Sequence, residues 1–417
     1  MISVFTPTHD PKWLLDCYDS LVAQTYTDWE WVIQTNGPVT RGLIPNVILA
    51  DPRVEVVHWN GPVQGVGEMK AAAVESCEGD LLVELDHDDY LTPDCLQELV
   101  LARHDHRDSS LFYSNTAQIN EDETPNYDTF NLDHGWEYRT DAATDDFECL
   151  SMEPYPHNIS YIWYAPNHVR AFTRAAYDAS GGYDRSLLIA DDQDLMCRLY
   201  QVGPFTHIPK LLYYQRIHPQ MSQKLHNADI QTKTVELYDR YIEDLALCWA
   251  DREGLDAIEL GAAHNSVGKS YLTSDLTGNV DLHGDVFQVL NEYEDSSVGV
   301  IRAVDFLEHV PAKIHLFNEF YRVLAHGGML LTLTPSTDGR GAFQDPTHVS
   351  YYNSNSFWYF TDPEYSKYVP SIRCKFQVSK LDNIFPSDFH QLHNIPYVQA
   401  NLIAIKNGPR QGGILHW

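Results

Sequence analysis

Short apolar runs alternate with amphipathic stretches along the first ninety residues. Runs rich in β-branched and aromatic residues, closed by Pro, Asn-Gly-Pro or acidic residues, predict strands. The predicted strands are residues 2–6, 29–34, 54–58 and 80–85. Apolar positions at helical spacing predict helices at residues 13–24 and 69–77. Because strands alternate with helices, the pattern predicts a parallel sheet that binds ligands at the carboxyl ends of its strands.

The pattern changes further along the chain. Residues 119–160 are rich in Asn, Asp, Glu, Thr and Pro, which predicts a long excursion that serves as an acceptor-binding or lid loop. A helix is predicted over residues 232–250, and a second strand-helix series follows it. The predicted fold class is therefore α/β in both halves. The predicted domains are residues 1–240 and 256–417, with the end of a linking helix at 241–255.

Composition narrows the classes of function. The 417 residues carry a formal charge of −31, which repels phosphate backbones and argues against binding of nucleic acid. The seven cysteines are scattered without a Cys-x-x-Cys pair, which argues against a disulfide framework and a zinc knuckle. No run of 18 apolar residues and no secretory leader pattern is found in the sequence. We therefore expect a cytoplasmic chain without a transmembrane segment.

Four residues, Asp86 to Asp89, place three carboxylates directly after an apolar run. One interpretation is a solvated turn. A calcium loop of the EF-hand type fails, because Leu91 stands where that loop needs glycine and Gln97 where it needs glutamate. The remaining interpretation is a site for Mg²⁺ or Mn²⁺, which take few protein ligands and complete their shell with diphosphate oxygens. Crowded carboxylates without a cation would be costly.

Several further motifs occur in a fixed order around this acidic cluster. Those before residue 100 are Ile2–Thr8, Ser20–Tyr26, Trp29–Ile33, Gly65–Gly67 and Leu85–Leu91. Those further on are Gly181–Asp184, Asp191–Leu195, Arg198–Leu199 and Leu212–Pro219. In order and spacing they resemble family 2 glycosyltransferases, over roughly residues 1 to 240. The resemblance implies a GT-A fold, a Rossmann-like mixed sheet that binds a nucleotide-diphosphate sugar.

The resemblance implies a donor site in the first half of this domain. Thr6 and Pro7 would lie where the first strand meets the nucleotide. Asp86 would contact the ribose, and Asp88 would bind the metal with Asp89 as its partner. The implied cofactor is Mn²⁺ or Mg²⁺, and the implied donor is a nucleotide-diphosphate sugar.

The acceptor side of the resemblance lies about a hundred residues later. Asp192, with Asp191 beside it, would be the general base that deprotonates an acceptor hydroxyl in an inverting displacement. His218 matches a histidine that approaches the metal or the diphosphate in some members, and Arg216 would lie nearby on the donor side. Asn36 stands where the family usually has a carboxylate pair, and it can still hydrogen-bond a base or ribose. Taken alone, Asp192 is also typical of helix capping.

The second half of the chain resembles another family. The turn with Glu259 and Gly261 follows a predicted strand, and Asp275 ends the next one. The segments that follow are Leu307–Val310, Tyr321–Gly328 and Phe343–His348. In this order they resemble a smaller Rossmann-like domain, a class I S-adenosylmethionine-dependent methyltransferase, over roughly residues 256 to 406. Ala263 and Asn265 replace glycines of the nucleotide-binding turn, so a role in packing or acceptor recognition is the alternative to methyl transfer.

Three functions follow from these patterns. The first is a metal-dependent, inverting glycosyltransferase that moves a sugar from a nucleotide-diphosphate donor to a hydroxyl acceptor, a glycan or surface saccharide. The second is a bifunctional enzyme that glycosylates and then methylates one product. The third is an inactive protein that still binds sugar nucleotides, as the residues around Asn36 would allow.

Overall fold

The structure is a computed structural model, and it describes residues 1–61, 65–130, 132, 135–141, 144–161, 168–263 and 266–408. The chain forms two compact units. The first comprises Met1–Pro154 and Asn158–Tyr241, and the second comprises Tyr155–His157 and the chain from Ile242 onward. The predicted linker at 241–255 falls on the end of a long helix, Asn227–Arg252, and the turn after it. No described helix is long and apolar enough to cross a membrane.

The described part of the first unit is built on a mixed sheet of ten strands. In chain order these are β1 (Ile2–Thr8), β2 (Trp29–Thr35), β3 (Val54–His58), β4 (Leu81–Glu84), β5 (Tyr90–Leu91), β6 (Leu111–Asn120), β7 (Glu137–Thr140), β8 (Phe147–Leu150), β9 (Arg170–Thr173) and β10 (Phe205–Ile217). The sheet order is β3-β2-β1-β4-β9-β6-β10-β5, and β8 pairs with both β6 and β7.

Helices connect and flank these strands. They are α1 (Leu14–Val22), α2 (Asn46–Ala50), α3 (Val66–Glu75), α4 (Cys95–Asp105), α5 (Pro156–Tyr161), α6 (Arg174–Ser180), α7 (Asp191–Val202), α8 (Ser222–Leu225) and α9 (Asn227–Arg252). A short 3-10 helix covers Arg41–Leu43. The central strands are buried on both faces, which explains why they appear in the sequence as nearly continuous apolar runs.

The order of the first four strands decides where a site can form. Strands β1 to β4 are mutually parallel. From β1 the chain passes to β2 and β3 on one side of β1, and it then returns to form β4 on the other side. Such a reversal of strand order opens a crevice at the carboxyl ends of the strands. Pro7 is the last residue but one of β1, Asn36 follows β2 and Asp86 follows β4, so all three lie at this edge.

The sequence predictions for this unit hold in part. The α/β class and the mixed sheet implied by the resemblance are confirmed. The parallel sheet predicted from the first ninety residues is found in β1 to β4, whereas further along the chain β9 runs antiparallel to both β4 and β6. The segment 119–160 is not without structure, since it contains the antiparallel pair β7 and β8. These strands are short, partly exposed and surrounded by polar residues, so the hydrophobic periodicity of the sequence did not predict them.

The second unit is built on a seven-stranded sheet within its described residues. Its strands are β11 (Asp256–Leu260), β12 (Leu272–Asp275), β13 (Leu282–His283), β14 (Val298–Val304), β15 (Leu324–Pro335), β16 (Phe376–Ile384) and β17 (Tyr397–Ala404). The order is β13-β12-β11-β14-β15-β17-β16, and β17 runs antiparallel to both of its neighbours, β15 and β16. The strand order therefore reverses at β11, between β12 and β14.

Helices again flank this sheet. They are α10 (Val286–Asn291), α11 (Lys313–Val323), α12 (Gly341–Gln344), α13 (Ser354–Thr361), α14 (Pro363–Ser366) and α15 (Asp388–Leu392), with a 3-10 helix at Leu307–His309. Helix α11 buries Leu316, Phe317 and Phe320 against the sheet, and the ring of Phe317 stacks on that of Phe360. This aromatic layer gives the second unit a hydrophobic core of its own.

Two glycines allow α3 to approach the loop before α7. A Cβ added at Gly67 would lie 2.3 Å from the carbonyl oxygen of Asp184, and one added at Gly65 would lie 2.5 Å from that of Leu187. We expect Gly67→Ala to lower the free energy of unfolding by about 1–3 kcal/mol, since the backbone must move. Thermal unfolding checks this. Gly42→Ala is the control, because its nearest atom would be 3.9 Å away; equal melting temperatures for both variants would contradict the close approach.

Candidate active site

A cleft of about 1110 Å³ opens in the first unit at the carboxyl edge of the sheet. Nine of the ten residues predicted for this domain line it: Pro7, Asn36, Asp86, Asp88, Asp89, Asp191, Asp192, Arg216 and His218. The tenth, Thr6, is buried below the cleft, where its hydroxyl accepts a hydrogen bond of 2.9 Å from the indole nitrogen of Trp31. The fold thus brings together residues that lie as far apart in the sequence as Pro7 and His218.

Asp88 and His218 form a contact at one side of the cleft. The Oδ2 of Asp88 lies 2.7 Å from the Nε2 of His218, and the ring of Trp13 lies 4.8 Å from the imidazole, between centroids. The antiparallel pairing of β5 with β10 causes this meeting, because Asp88 precedes β5 and His218 follows β10. Burial works against the charge of Asp88, yet the hydrogen bond from His218 holds its pKa below the ordinary value.

Asp89 and Arg216 anchor the loop that carries Asp88. The two carboxylate oxygens of Asp89 accept hydrogen bonds from the Tyr213 hydroxyl, at 2.8 Å, and from the Arg216 amide, at 2.7 Å. The Arg216 side chain is 1 % exposed, donates to the carbonyl of Asp88 at 3.0 Å and pairs with Asp16 at 2.7 Å. Both side chains are therefore engaged in holding the acidic loop against β10.

Asp86 and Asp89 are both buried carboxyls of the cleft whose pKa lies above the ordinary value, because burial and the neighbouring carboxylates oppose their charge. The Asp86 amide donates to the Tyr213 hydroxyl at 3.2 Å, which fixes the backbone after β4. Burial, together with the charges of Glu84 and Asp88, raises the pKa of Asp86 to about 7. A bound cation would relieve this crowding.

Asp191 and Asp192 are the first two residues of α7 and also line the cleft, and they form ion pairs with different cations. Asp191 lies 3.0 Å from the ammonium group of Lys70, which also lies 2.9 Å from Glu84. Asp192 pairs instead with the guanidinium of Arg170. The Asp192 side chain is 19 % exposed and that of Asp191 only 5 %. Asp192 is thus the member of the pair with a carboxylate open to the cleft.

Lys70 and Arg170 form a buried cationic layer beneath these carboxylates. Although burial opposes it, the carboxylates of Asp191 and Glu84 raise the pKa of Lys70. Arg170 donates to His168 at 2.7 Å, and burial together with this cation lowers the pKa of the imidazole well below its usual value. His168 therefore stays neutral and accepts, and Arg170 remains charged next to Asp192.

Sequence reasoning missed Lys70, Arg170 and Trp13, all of which line the cleft. Lys70 carried a weak signal, since it is the only basic residue in the alanine-rich helix α3. Arg170 carried none, because it sits in a short strand without a recognisable motif. Trp13 fits the apolar spacing of α1, and only the pairing of β5 with β10 brings His218 to its ring.

Substitution of the buried Lys70 tests whether this cationic layer stabilises the first unit. We expect Lys70→Met to lower the free energy of unfolding by about 3–5 kcal/mol, because it leaves Glu84 and Asp191 buried without their counter-charge. Denaturant unfolding measures the difference. Lys210→Met removes an exposed lysine that pairs with Glu98, so its expected effect is at most about 1 kcal/mol. Similar effects of the two changes would show that the buried cation does not stabilise the unit.

The donor set of the cleft fits a divalent cation. Asp86 and Asp88 offer oxygen atoms and His218 an imidazole, and burial together with the nearby charges of Glu84 and Asp88 raises the pKa of Asp86. Carboxylate oxygens suit Mg²⁺ and Mn²⁺, and imidazole is compatible with Mn²⁺. Asp88 is the best-placed ligand, because both oxygens of Asp89 are already engaged.

The candidate cofactor residues of the second unit lie at the end of β11 and β12. Gly261 has φ +74°, which suits glycine, and the fold packs Phe306 against it. Asp275 accepts hydrogen bonds from the amides of Ala263 and Thr277. Glu259 is buried and bonds to Ser266, Val267 and Arg302, so it stabilises the turn. Asn265 lies outside the described residues.

The fold and the cleft define the class of this unit as an α/β domain with a carboxylate-lined site at a strand-order reversal, which is typical of nucleotide binding. A family model described as "Glycosyl transferase family 2" matches residues 3–158. This part of the first unit is therefore similar to family 2 glycosyltransferases.

The chain is similar to bacterial polysaccharide synthases. It is 28% identical over 239 residues to a chondroitin synthase of Escherichia coli, covering 55% of this chain and 31% of that protein. It is 26% identical over 227 residues to a hyaluronan synthase of Pasteurella multocida, covering 52% of this chain and 20% of that protein. The chain thus spans less than a third of the length of these relatives.

Among solved structures, the chain is similar to S. aureus TarS. The structure of its residues 1–349 gives a TM-score of 0.42 at 16% identity, covering 58% of this chain and 72% of that one. The same fragment in complex with UDP gives a TM-score of 0.42 at 16% identity, covering 60% of this chain and 65% of that one.

Proposed function

We propose that the first unit is a metal-dependent, inverting glycosyltransferase. It would move a sugar from a nucleotide-diphosphate donor to a hydroxyl acceptor. One observation carries the proposal: Asp88 with His218, and Asp192 on another element, line one cleft in a family 2 domain. A donor side that holds a diphosphate and an acceptor side that holds a base are the two parts that this reaction needs.

On the acceptor side, Asp192 would act as the general base. The acceptor hydroxyl oxygen attacks the anomeric carbon as the bond to the diphosphate breaks, and the Asp192 carboxylate takes the hydroxyl proton. Arg170 holds this carboxylate in place through their ion pair. Asp191 pairs with Lys70, so we assign it a positioning role at the start of α7.

On the donor side, Asp88 and His218 would hold Mn²⁺ or Mg²⁺, with Asp86 directed to the ribose. The cation supplies charge neutralisation for the departing diphosphate. Asn36 would bind the nucleobase, because its buried Oδ1 has no hydrogen-bond partner in the described part of the chain and a base N–H could supply one. Arg216 and Asp89 support this side by fixing the acidic loop.

The acceptor would be a saccharide. The relatives named as chondroitin and hyaluronan synthases support a glycan acceptor for the shared domain. The strong negative charge of the chain favours a neutral or polar acceptor over a nucleic acid.

A donor panel tests the proposed activity directly. We expect one nucleotide-diphosphate sugar to raise the melting temperature of the full chain in the presence of Mn²⁺ and to raise it much less without the ion. Slow turnover of that donor, read as nucleotide-diphosphate release, would exclude the inactive binding protein. If no donor in the panel shifts the melting temperature with Mn²⁺, the proposal is wrong.

A second candidate function concerns the other unit. The order of its sheet reverses at β11, where Gly261 takes a left-handed conformation and Asp275 ends the next strand. This favours an S-adenosylmethionine site at the turn, because ligands of open α/β sheets bind at such a reversal. A carboxylate has about four acceptor positions, so Asp275 retains capacity for ribose hydroxyls beside its two amide bonds. The enzyme would then glycosylate and methylate one product.

Calorimetry of the full chain with S-adenosylmethionine tests this candidate. We expect a saturable heat that Asp275→Ala weakens by at least about tenfold, because a hydrogen bond to an ionised group is lost. Asp388→Ala, an exposed aspartate of α15, is the control and should leave the heat unchanged. No heat from the unsubstituted chain would remove methyl transfer and leave a packing or acceptor-recognition role.

A further inference from the structure

A group of metal-ligating side chains lies in the second unit. One ligating atom from each of Glu308, His309 and His348 lies within 4.8 Å of the other two. Glu308 and His309 belong to the 3-10 helix Leu307–His309, which follows β14, and His348 follows α12. Carboxylate and imidazole are both metal ligands, so this trio differs from a cluster of acidic residues alone.

Both imidazoles are oriented by the backbone. The Nδ1 of His348 lies 3.0 Å from the carbonyl oxygen of Ala342, and the Nδ1 of His309 lies 3.3 Å from that of Thr347. Because a carbonyl only accepts, the Nδ1 of His348 carries the proton. The Nδ1 of His309 also lies 3.2 Å from the Thr347 hydroxyl oxygen, but that hydroxyl donates its proton to Asp345 at 2.6 Å, so this Nδ1 carries a proton as well. Each Nε2 therefore keeps the lone pair that a metal needs, and this arrangement is usual for histidines that bind metals.

The carboxylate is fixed in the same way. Glu308 is buried, and its Oε2 accepts a hydrogen bond of 2.7 Å from the Thr334 hydroxyl. Its backbone carbonyl accepts from the amides of Val349 and Ser350, at 2.9 Å each. These bonds tie the 3-10 helix to the segment that carries His348, so the three ligands are held together before any ion binds.

We propose that Glu308, His309 and His348 bind one divalent transition-metal ion. Two imidazoles and a carboxylate suit Zn²⁺, Co²⁺, Fe²⁺ or Mn²⁺, and three protein ligands leave at least one coordination position open. His309 is exposed, so an oxygen atom of water or of a substrate hydroxyl reaches that position. The site stands independently of the glycosyltransferase proposal, because it shares no residue with the cleft of the first unit.

The position of this trio in the sheet indicates what the ion would serve. Strand β14 lies next to β11, and Phe306, directly before the 3-10 helix, packs against Gly261. A Cβ at Gly261 would lie 3.1 Å from the Phe306 ring. The metal site therefore adjoins the turn at the strand-order reversal, where it would hold a substrate oxygen beside a bound nucleotide ligand.

Cobalt binding by the full chain tests the site, with any affinity tag removed. The background variant is Asp88→Asn, which weakens the ion site of the first unit. We expect this chain to bind one Co²⁺ and to show visible absorption from imidazole coordination. Adding His309→Ala should weaken Co²⁺ binding by at least about tenfold and remove that absorption, and Glu308→Gln should do the same. His393→Ala, an exposed histidine of the same unit, is the matched control.

The outcomes separate binding from folding. His309 is exposed, so we expect the metal-free melting temperature of His309→Ala to equal that of its background. Absence of Co²⁺ binding in the Asp88→Asn chain would overturn the proposal. Unchanged affinity and absorption in His309→Ala and in Glu308→Gln would overturn it as well, since the ion would then lie elsewhere. Neither result bears on the proposed glycosyltransferase function, which is tested separately on the chain that retains Asp88.

Discussion

Replacement of Asp192 by asparagine is expected to lower the rate of sugar transfer by about 10²–10⁴-fold, the usual contribution of a positioned general base. Asparagine keeps the size of the side chain and a hydrogen-bond acceptor for Arg170, but it cannot take a proton from the acceptor hydroxyl. The loss should fall on kcat. Donor binding, measured by thermal shift with Mn²⁺, should change little, because the proposed role of Asp192 is towards the acceptor hydroxyl.

Two further variants sharpen this test. Asp191→Asn removes the partner of Lys70, so we expect it to lower the melting temperature more than Asp192→Asn does. Asp178→Asn changes the same charge on the exposed face of α6 and should leave transfer unchanged. If Asp192→Asn transferred sugar within about threefold of the unsubstituted rate, the base would have to be another group.

Asp88→Asn is expected to weaken Mn²⁺-dependent donor binding by about 10²-fold or more, since even residues that only orient metal ligands contribute 10–100-fold. The change removes the carboxylate that faces His218 and leaves the buried loop otherwise intact. Calorimetric titration of the donor in the presence of Mn²⁺ measures the difference in donor affinity between the Asp88→Asn chain and the unsubstituted chain.

The matched control for this change is Asp105→Asn. Asp105 is an exposed aspartate at the end of α4, paired only with exposed His104, so donor affinity should not change. Full manganese-dependent transfer by the Asp88→Asn chain would show that the assigned metal role is wrong. A loss of affinity that is the same with and without Mn²⁺ would assign Asp88 to the donor itself.

Much of the first unit could be predicted from local patterns. A buried parallel strand is a short apolar run, and its carboxyl end is followed by polar residues, so the positions of Pro7, Asn36 and Asp86 at one edge follow from the sequence. The order of the motifs also identified the glycosyltransferase domain.

Other features left little local trace. The strand β9 lies between β4 and β6 and is antiparallel to both. Its four residues contain no pattern from which this position or direction could be predicted. The excursion 119–160 likewise looked irregular, although it supplies the strands β7 and β8. Short, partly exposed strands bury too little apolar surface to leave a clear period.

The sequence by itself determined the strand ends, the acidic loop and the pair at the start of α7. The tertiary structure decided which partner each carboxylate has. Lys70 from α3 pairs with Asp191, and Arg170 from β9 pairs with Asp192. His218, which follows β10, forms a hydrogen bond with Asp88. The physical reason is that a side chain's charge and exposure depend on neighbours from distant segments, and those neighbours are set by the order of strands in the sheet.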